Sequence, residues 1–166
     1  MPYARTTWVD YPATTTEITA ARLNNIETGI LAVEAAVGTA AWSSFTPQLR
    51  TGTTNITSTN NYGRYITVGN TITVQAKVTA TQAGSASGAI KLSNPTGTSL
   101  ASDQAFGVFF VKDTGTAYYT GVAMSVETGY ISGQAYNSVD SMGANTPAMT
   151  IAVGDIVSYS IVYSIV

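Results

Sequence analysis

The chain has 166 residues, a formal net charge of −2, and neither cysteine nor histidine. Without these two residue types it cannot form a disulfide, a thiolate metal site, or a Ser-His or Cys-His dyad, so we expect no metal and no cofactor. Charged residues make up 10 % of the chain, against ~25 % in ordinary soluble domains, and the small net charge predicts no binding to nucleic acid or to an anionic membrane.

Residues 1–18 are predicted to form an extended arm. The segment is polar and threonine-rich, and it carries Tyr3, Trp8 and Tyr11 without a core of its own. Aromatic side chains are the usual energetic centres of interfaces, so the arm is predicted to dock these rings on another protein. A terminus without a partner is the alternative. We find neither the apolar run of a signal peptide nor a stretch long enough to span a membrane.

Residues 19–38 contain the single predicted helix, which begins after Thr19 as N-cap and ends before Gly38. Its apolar residues follow the three-four spacing of a narrow a/d seam, which is typical of self-associating helices. The seam consists of Leu23, Ile26, Ile30, Val33 and Val37. The β-branched residues at the d positions favour a coiled coil of three helices over one of two, so the seam predicts a homotrimer. The alternative is a monomer whose helix packs on its own β-domain.

Residues 39–47 are predicted as a joint, in which Trp42 and Phe45 seal the base of the β-domain under the helix. Residues 48–166 read as eight to ten short strands separated by Gly, Asn and Ser turns. The clearest strand is Thr71–Ala80, which alternates without an error. The final strand alternates from Val157 onward but has Ile156, Val162 and Val166 on its second face, so we expect both faces to be covered and the strand to be central or buried at a subunit contact. The predicted fold is mainly β, with an arm and a short coiled-coil helix before an antiparallel, jelly-roll-like β-sandwich.

Carboxylates are the remaining catalytic option in this composition. A glycan-cleaving protein needs two acidic groups about 5 to 9.5 Å apart. The acidic residues of the β-domain are Asp103, Asp113, Glu127, Asp140 and Asp155. Several of these occupy turn sequences, where aspartate is expected for its local backbone hydrogen bonds. We therefore predict no catalytic residues, and a polysaccharide-degrading enzyme is a minor alternative.

A glycan-binding site is predicted in the second half of the β-domain. Aromatic ring faces beside amide side chains suit sugars, because they combine apolar contact with directed hydrogen bonds. The predicted contacts are Tyr118, Tyr119, Tyr130, Gln134, Tyr136 and Asn137. The alternative is that these tyrosines are ordinary strand residues, which β-propensity also favours.

Three segments of the chain resemble short fibre and minor tail proteins of phages, of the type found in actinobacterial phages. TTWVDYPATTTEITAARLNNIETGI is similar to their virion-attachment segment, and Trp42–Leu49 with YGRYITVGNTITVQAKVT resembles the start of their head domain. NTPAMTIAVGDIVSYSIVYSIV is similar to the end of such heads. The resemblance implies a homotrimer made in the host cytoplasm, with its arm fixed to other virion proteins and its head exposed on the particle.

The resemblance implies binding rather than catalysis, and it leaves the position in the particle open. A short tail fibre or tip that binds host surface glycan is the leading hypothesis. A capsid decoration protein or head fibre is the alternative, because the chain lacks the long shaft of large tail fibres.

Overall fold

The structure is a computed structural model that describes residues 19–37, 41–85, 88–95, 105–135, 138, 140–144 and 147–164. The chain divides into two compact units, Met1–Ala41 and Trp42–Val166. The predicted arm, with Tyr3, Trp8 and Tyr11, lies outside the described residues.

The first unit contains the predicted helix, α1, over Ala20–Val37. The carbonyl of Thr19 accepts hydrogen bonds from the backbone amides of Arg22 (3.0 Å) and Leu23 (3.2 Å), which makes Thr19 the N-cap as predicted. The 18 residues of α1 make a helix about 27 Å long.

The second unit is a β-structure, which confirms the mainly β prediction. Its strands, in chain order, are β1 (Ser43–Ser44), β2 (Leu49–Thr51), β3 (Thr54–Ile56), β4 (Ser58–Val68), β5 (Thr71–Ala80), β6 (Ile90–Ser93), β7 (Ala105–Asp113), β8 (Ala117–Glu127), β9 (Tyr130–Gln134) and β10 (Ile156–Ser164). They form one antiparallel sheet in the order β1-β4-β5-β10-β7-β8-β9-β6-β2-β3.

The sheet curls into a half-barrel, and the connection between β3 and β4 shows why. β3 is one edge of the sheet, whereas β4 is the second strand from the opposite edge. Only Thr57 separates Ile56 at the end of β3 from Ser58 at the start of β4, and two residues reach about 7 Å at most. The two ends of the sheet therefore meet at this point. The jelly-roll sandwich is not confirmed, because the hydrogen bonds run through one continuous sheet.

The core fills the concave side of the curled sheet. β5 alternates between buried and more exposed positions, as its sequence predicts, and β10 is central, as predicted, between β5 and β7. The largest fully buried side chains of the sheet are Leu49, Ile56, Ile72, Ile90, Leu92, Phe109, Ile131 and Ile161. The second side of β10 is more open than predicted, because Val162 is 50 % exposed.

The two aromatic residues of the predicted joint lie on different sides of the sheet. Phe45 packs against the core, with its ring centroid 6.3 Å from that of Tyr65 in an edge-on arrangement. Trp42 is 43 % exposed, and its ring lies 4.7 Å from the guanidinium of Arg64. Phe45 therefore packs on the core of the β-unit, whereas Trp42 is available at the surface, and the seal under the helix stays a prediction.

Candidate functional site

The described acidic residues of the β-unit include two with clear structural partners. Asp155 is fully buried, and its Oδ1 and Oδ2 accept hydrogen bonds from the backbone amides of Thr114 and Ala152, both at 2.8 Å. Asp155 thus ties the turn between β7 and β8 to the segment that precedes β10. Glu127 accepts from Arg50 and Lys91, each at 2.8 Å. Both carboxylates hold the fold together, which is a sufficient reason for their presence.

A buried polar cluster joins β10 to the end of β6. The Tyr159 hydroxyl donates to the carbonyl of Ser93 (2.9 Å) and lies 3.2 Å from Oδ1 of Asn94. The Asn94 amide in turn donates to the hydroxyl of Tyr163 at 2.7 Å. Burial, and secondarily the neighbouring Tyr163, raises the pKa of Tyr159 well above its ordinary value. The cluster stabilises the curl, because it links strands four places apart in the sheet.

The residues predicted to contact glycan do not form one cluster. Tyr118 is 70 % exposed on the convex side, whereas Tyr119 points inward and packs against the core. Tyr130 lies at the other end of the β8–β9 hairpin, under the guanidinium of Arg50 at 4.6 Å. Gln134 sits on the convex side opposite Val122. Tyr136 and Asn137 lie outside the described residues. Of the four described candidates, Tyr118 is the one that offers a widely exposed ring.

The predicted helix seam is largely exposed to solvent. Ile26, Ile30 and Val33 are 60 %, 44 % and 63 % exposed, and together with Gly29 they line an apolar surface groove. Leu23 is partly buried, and the side chain of Val37 is outside the description. Among the described side chains of the helix, the most buried is Glu27, which is 3 % exposed. Three of the five predicted seam residues are thus exposed to solvent.

A cluster that the sequence reasoning missed lies on the convex side of the sheet, which we call the outer face. Arg64 lies 4.7 Å from the ring centroid of Trp42 and 5.4 Å from that of Tyr62. Its Nε and Nη2 donate to Oε1 of Gln75 at 3.0 and 2.8 Å. A signal for part of this cluster existed, because Tyr62 and Arg64 are two residues apart on one strand and therefore share a face.

Comparison of the chain with protein-family models, with curated proteins and with solved structures finds no match. No group of three or more potential metal-ligating residues occurs in the described parts of the chain. The described helix is not long and apolar enough to cross a bilayer.

Proposed function

We propose that the protein is a non-enzymatic structural protein of a phage particle, a short trimeric fibre or tip whose β-unit binds glycan on the host surface. In this proposal the arm attaches to other virion proteins, and the helix packs against the same helix of two other copies to form a trimer. The curled sheet is the head, with the two halves of one sheet in place of the two sheets of a jelly roll.

The observation that carries the proposal is the exposed helix seam. Ile26, Ile30 and Val33 are large apolar side chains at a/d spacing, and a solitary chain leaves them in water. Packing them against the seams of other copies removes that area from water, and each buried side chain of this size contributes ~1.5–3 kcal/mol. The short helix makes this association marginal by itself, so contacts between β-units are expected to contribute as well.

The first experiment measures the mass of the assembly by sedimentation equilibrium and tests adsorption. The expected mass is three times the 17.3 kDa of one chain. Serum against the purified protein should block adsorption of the particle to host cells, and the protein should bind host cell-wall glycan. A protein that stays monomeric at high concentration, or one that neither binds glycan nor blocks adsorption, contradicts the tail-fibre form of the proposal.

A capsid decoration protein or head fibre is the second candidate. It is favoured by the shortness of the helix, since 18 residues make a helix of only about 27 Å. Copy number separates the two candidates. Quantitative mass spectrometry of purified particles should find a few trimers for a tail position, and tens to hundreds of copies for a capsid position.

A further inference from the structure

The outer face of β4, β5, β10, β7 and β8 carries three cations, Arg64, Lys77 and Lys112. Glu127 forms salt bridges with Arg50 and Lys91 rather than with any of these three. Lys77 and Lys112 alternate along their strands with buried residues, and each is partly exposed. Among the described residues, none of the three has a carboxylate partner, so this face is positive although the whole chain carries −2.

Neighbouring side chains hold the guanidinium of Arg64 in place but leave its positive charge without a negative partner among the described residues. Gln75 accepts from two of its nitrogens, and the rings of Trp42 and Tyr62 lie over the guanidinium. An amide oxygen carries no formal charge, and neither does an aromatic ring, so these contacts do not neutralise the positive charge of Arg64. Nη1 therefore keeps two N–H donors with no acceptor among the described residues. Arg64 is therefore held in place with N–H donors that can bind a ligand.

Arg50 provides an internal contrast. It also lies over a tyrosine ring, that of Tyr130, at 4.6 Å. Its Nη1 is 2.8 Å from a carboxylate oxygen of Glu127, however, and its Nη2 donates to the carbonyl of Thr53 at 2.9 Å. The same pairing of arginine and aromatic ring thus occurs twice on this sheet. The charge of Arg50 is neutralised by a carboxylate, whereas Arg64 has no carboxylate partner among the described residues.

Aromatic rings also flank the far side of the outer face. The Lys112 ammonium lies 5.8 Å from the ring centroid of Tyr118, and the Phe110 and Tyr118 centroids are 6.0 Å apart. Between the two aromatic groups runs β10, which presents Ser158 and Ser160. Four strand spacings, from β4 to β8, span about 19 Å. The result is a shallow hydroxyl-bearing floor with cations and rings on both sides.

We infer that this face binds a carboxylate-bearing polysaccharide, such as a uronic-acid polymer. Aromatic rings pack on the apolar faces of sugars, serine hydroxyls exchange hydrogen bonds with sugar hydroxyls, and the N–H edge of Arg64 matches a carboxylate. The inference deepens the proposed function and rests on its glycan-binding role, because it names the site and the charge of the glycan.

The density of charge argues against nucleic acid as the occupant. Each strand of a DNA duplex carries one phosphate for every ~3.4 Å of helix axis, so about five or six phosphates of one strand would lie along the ~19 Å face. Three separated cations among hydroxyl groups match a polymer with fewer charges, one for each sugar ring.

The test measures binding of the full-length protein to immobilised polygalacturonate by biolayer interferometry at low and raised ionic strength. Arg64→Gln should weaken binding about tenfold, equivalent to ~1.4 kcal/mol, and Lys77→Gln with Lys112→Gln should weaken it further. Arg50→Gln is the matched control, because it removes the same charge from the same sheet but leaves Glu127 paired with Lys91. It should change affinity by less than about twofold, or ~0.4 kcal/mol.

A spectroscopic signal tests the position directly. The chain has two tryptophans, Trp8 and Trp42, so Trp8→Phe leaves Trp42 as the only tryptophan. Polygalacturonate should change the fluorescence of this variant, and a further Arg64→Gln substitution should abolish the change at the same polymer concentration. Circular dichroism melts confirm that each variant is folded before its binding is scored.

Each contrary result has its own meaning. Equal weakening by Arg50→Gln and Arg64→Gln overturns the site, as does tight polymer binding that Arg64→Gln leaves unchanged. Binding to neutral dextran at equal strength overturns the charge requirement, and tighter binding to poly(glycerol phosphate) or to a DNA oligonucleotide overturns the choice of polymer. Failure to bind any polysaccharide removes the glycan-binding role itself, whereas the sedimentation result reports separately on the trimer.

Discussion

At the scale of single residues, the hydroxyl of Tyr159 is the group whose protonation matters most for the fold. It donates inside the core to Ser93, and burial raises its pKa well above the ordinary value of a tyrosine. In the unfolded chain the same hydroxyl ionises near pH 10. Above that pH the unfolded state binds fewer protons than the folded state, so the free energy of unfolding falls as the pH rises.

We therefore predict an alkaline loss of stability that depends on Tyr159. From this residue alone, the free energy of unfolding should fall by up to ~1.4 kcal/mol for each pH unit above about 10, and this contribution is fully present below that pH. Tyr159→Phe should make the decline shallower. Urea melts at a series of pH values measure both slopes, and equal slopes contradict the prediction.

Tyr159→Phe also has an expected effect at neutral pH. It removes a buried hydrogen bond and leaves the Ser93 carbonyl without its donor, so it should cost ~1–3 kcal/mol. Tyr118→Phe is the matched control, because the Tyr118 ring is 70 % exposed, and it should cost less than ~0.5 kcal/mol. Denaturant melts at pH 7 compare the two, and similar costs would show that the buried cluster contributes little.

Asp155 is the second residue with a measurable role. Asp155→Ala removes the buried carboxylate that accepts part-buried hydrogen bonds from two backbone amides, and we expect a loss of about 3 kcal/mol in the free energy of unfolding. The neighbouring turn residue Asp113 supplies the comparison, since Asp113→Ala should cost less than ~1 kcal/mol. If Asp155 instead serves catalysis, its removal should leave stability nearly unchanged, which a thermal melt detects.

At the scale of elements, the helix offers a clean test of self-association. Ile26→Asp with Ile30→Asp places two charges on the exposed seam, and burial of unpaired charges is strongly unfavourable, so the proposed trimer should not form. Asn25→Asp with Ala32→Asp adds the same two charges on the other side of the helix. Sedimentation velocity should find a monomer for the first pair and the wild-type mass for the second. Equal behaviour of the two pairs refutes the seam.

Strands show what a sequence can predict and what it cannot. The bounds of β5 and the turn after β4 follow from alternation and from a glycine, Gly69, with a positive φ of 57°. Alternation also places Tyr118 and Tyr119 on opposite faces of β8, so the sequence alone argues against a single site that contains both. The insertion of β10 between β5 and β7 depends on pairings across more than 70 residues of chain to β5 and more than 40 to β7, for which no local signal exists.

The Arg64 cluster illustrates the same limit for the candidate site. Tyr62 and Arg64 are recognisable as face-sharing neighbours, but Gln75 reaches them through the pairing of β4 with β5. Trp42 reaches them through β1, a strand of two residues that composition does not predict. Sites assembled from several strands therefore become visible only when the register is known.

At the scale of the whole molecule, we expect the two compact units to have separate roles, one in self-association and the other in forming the folded sheet. The unit Trp42–Val166 contains the entire sheet and its own core, whereas the exposed seam belongs to Met1–Ala41. A fragment of residues 42–166 should therefore unfold cooperatively by itself but sediment as a monomer. Circular dichroism and sedimentation equilibrium of the fragment and of the full chain provide the comparison.

The same fragment separates binding from avidity. One outer face should bind polygalacturonate by itself, and joining three faces should raise the apparent affinity by ~10²–10⁴ because later contacts become intramolecular. We therefore expect the fragment to bind the polymer weakly and to remain sensitive to Arg64→Gln, while the full chain binds tightly. A fragment that is still trimeric would place the association in the β-units, and the Ile26 and Ile30 substitutions should then leave the full chain assembled.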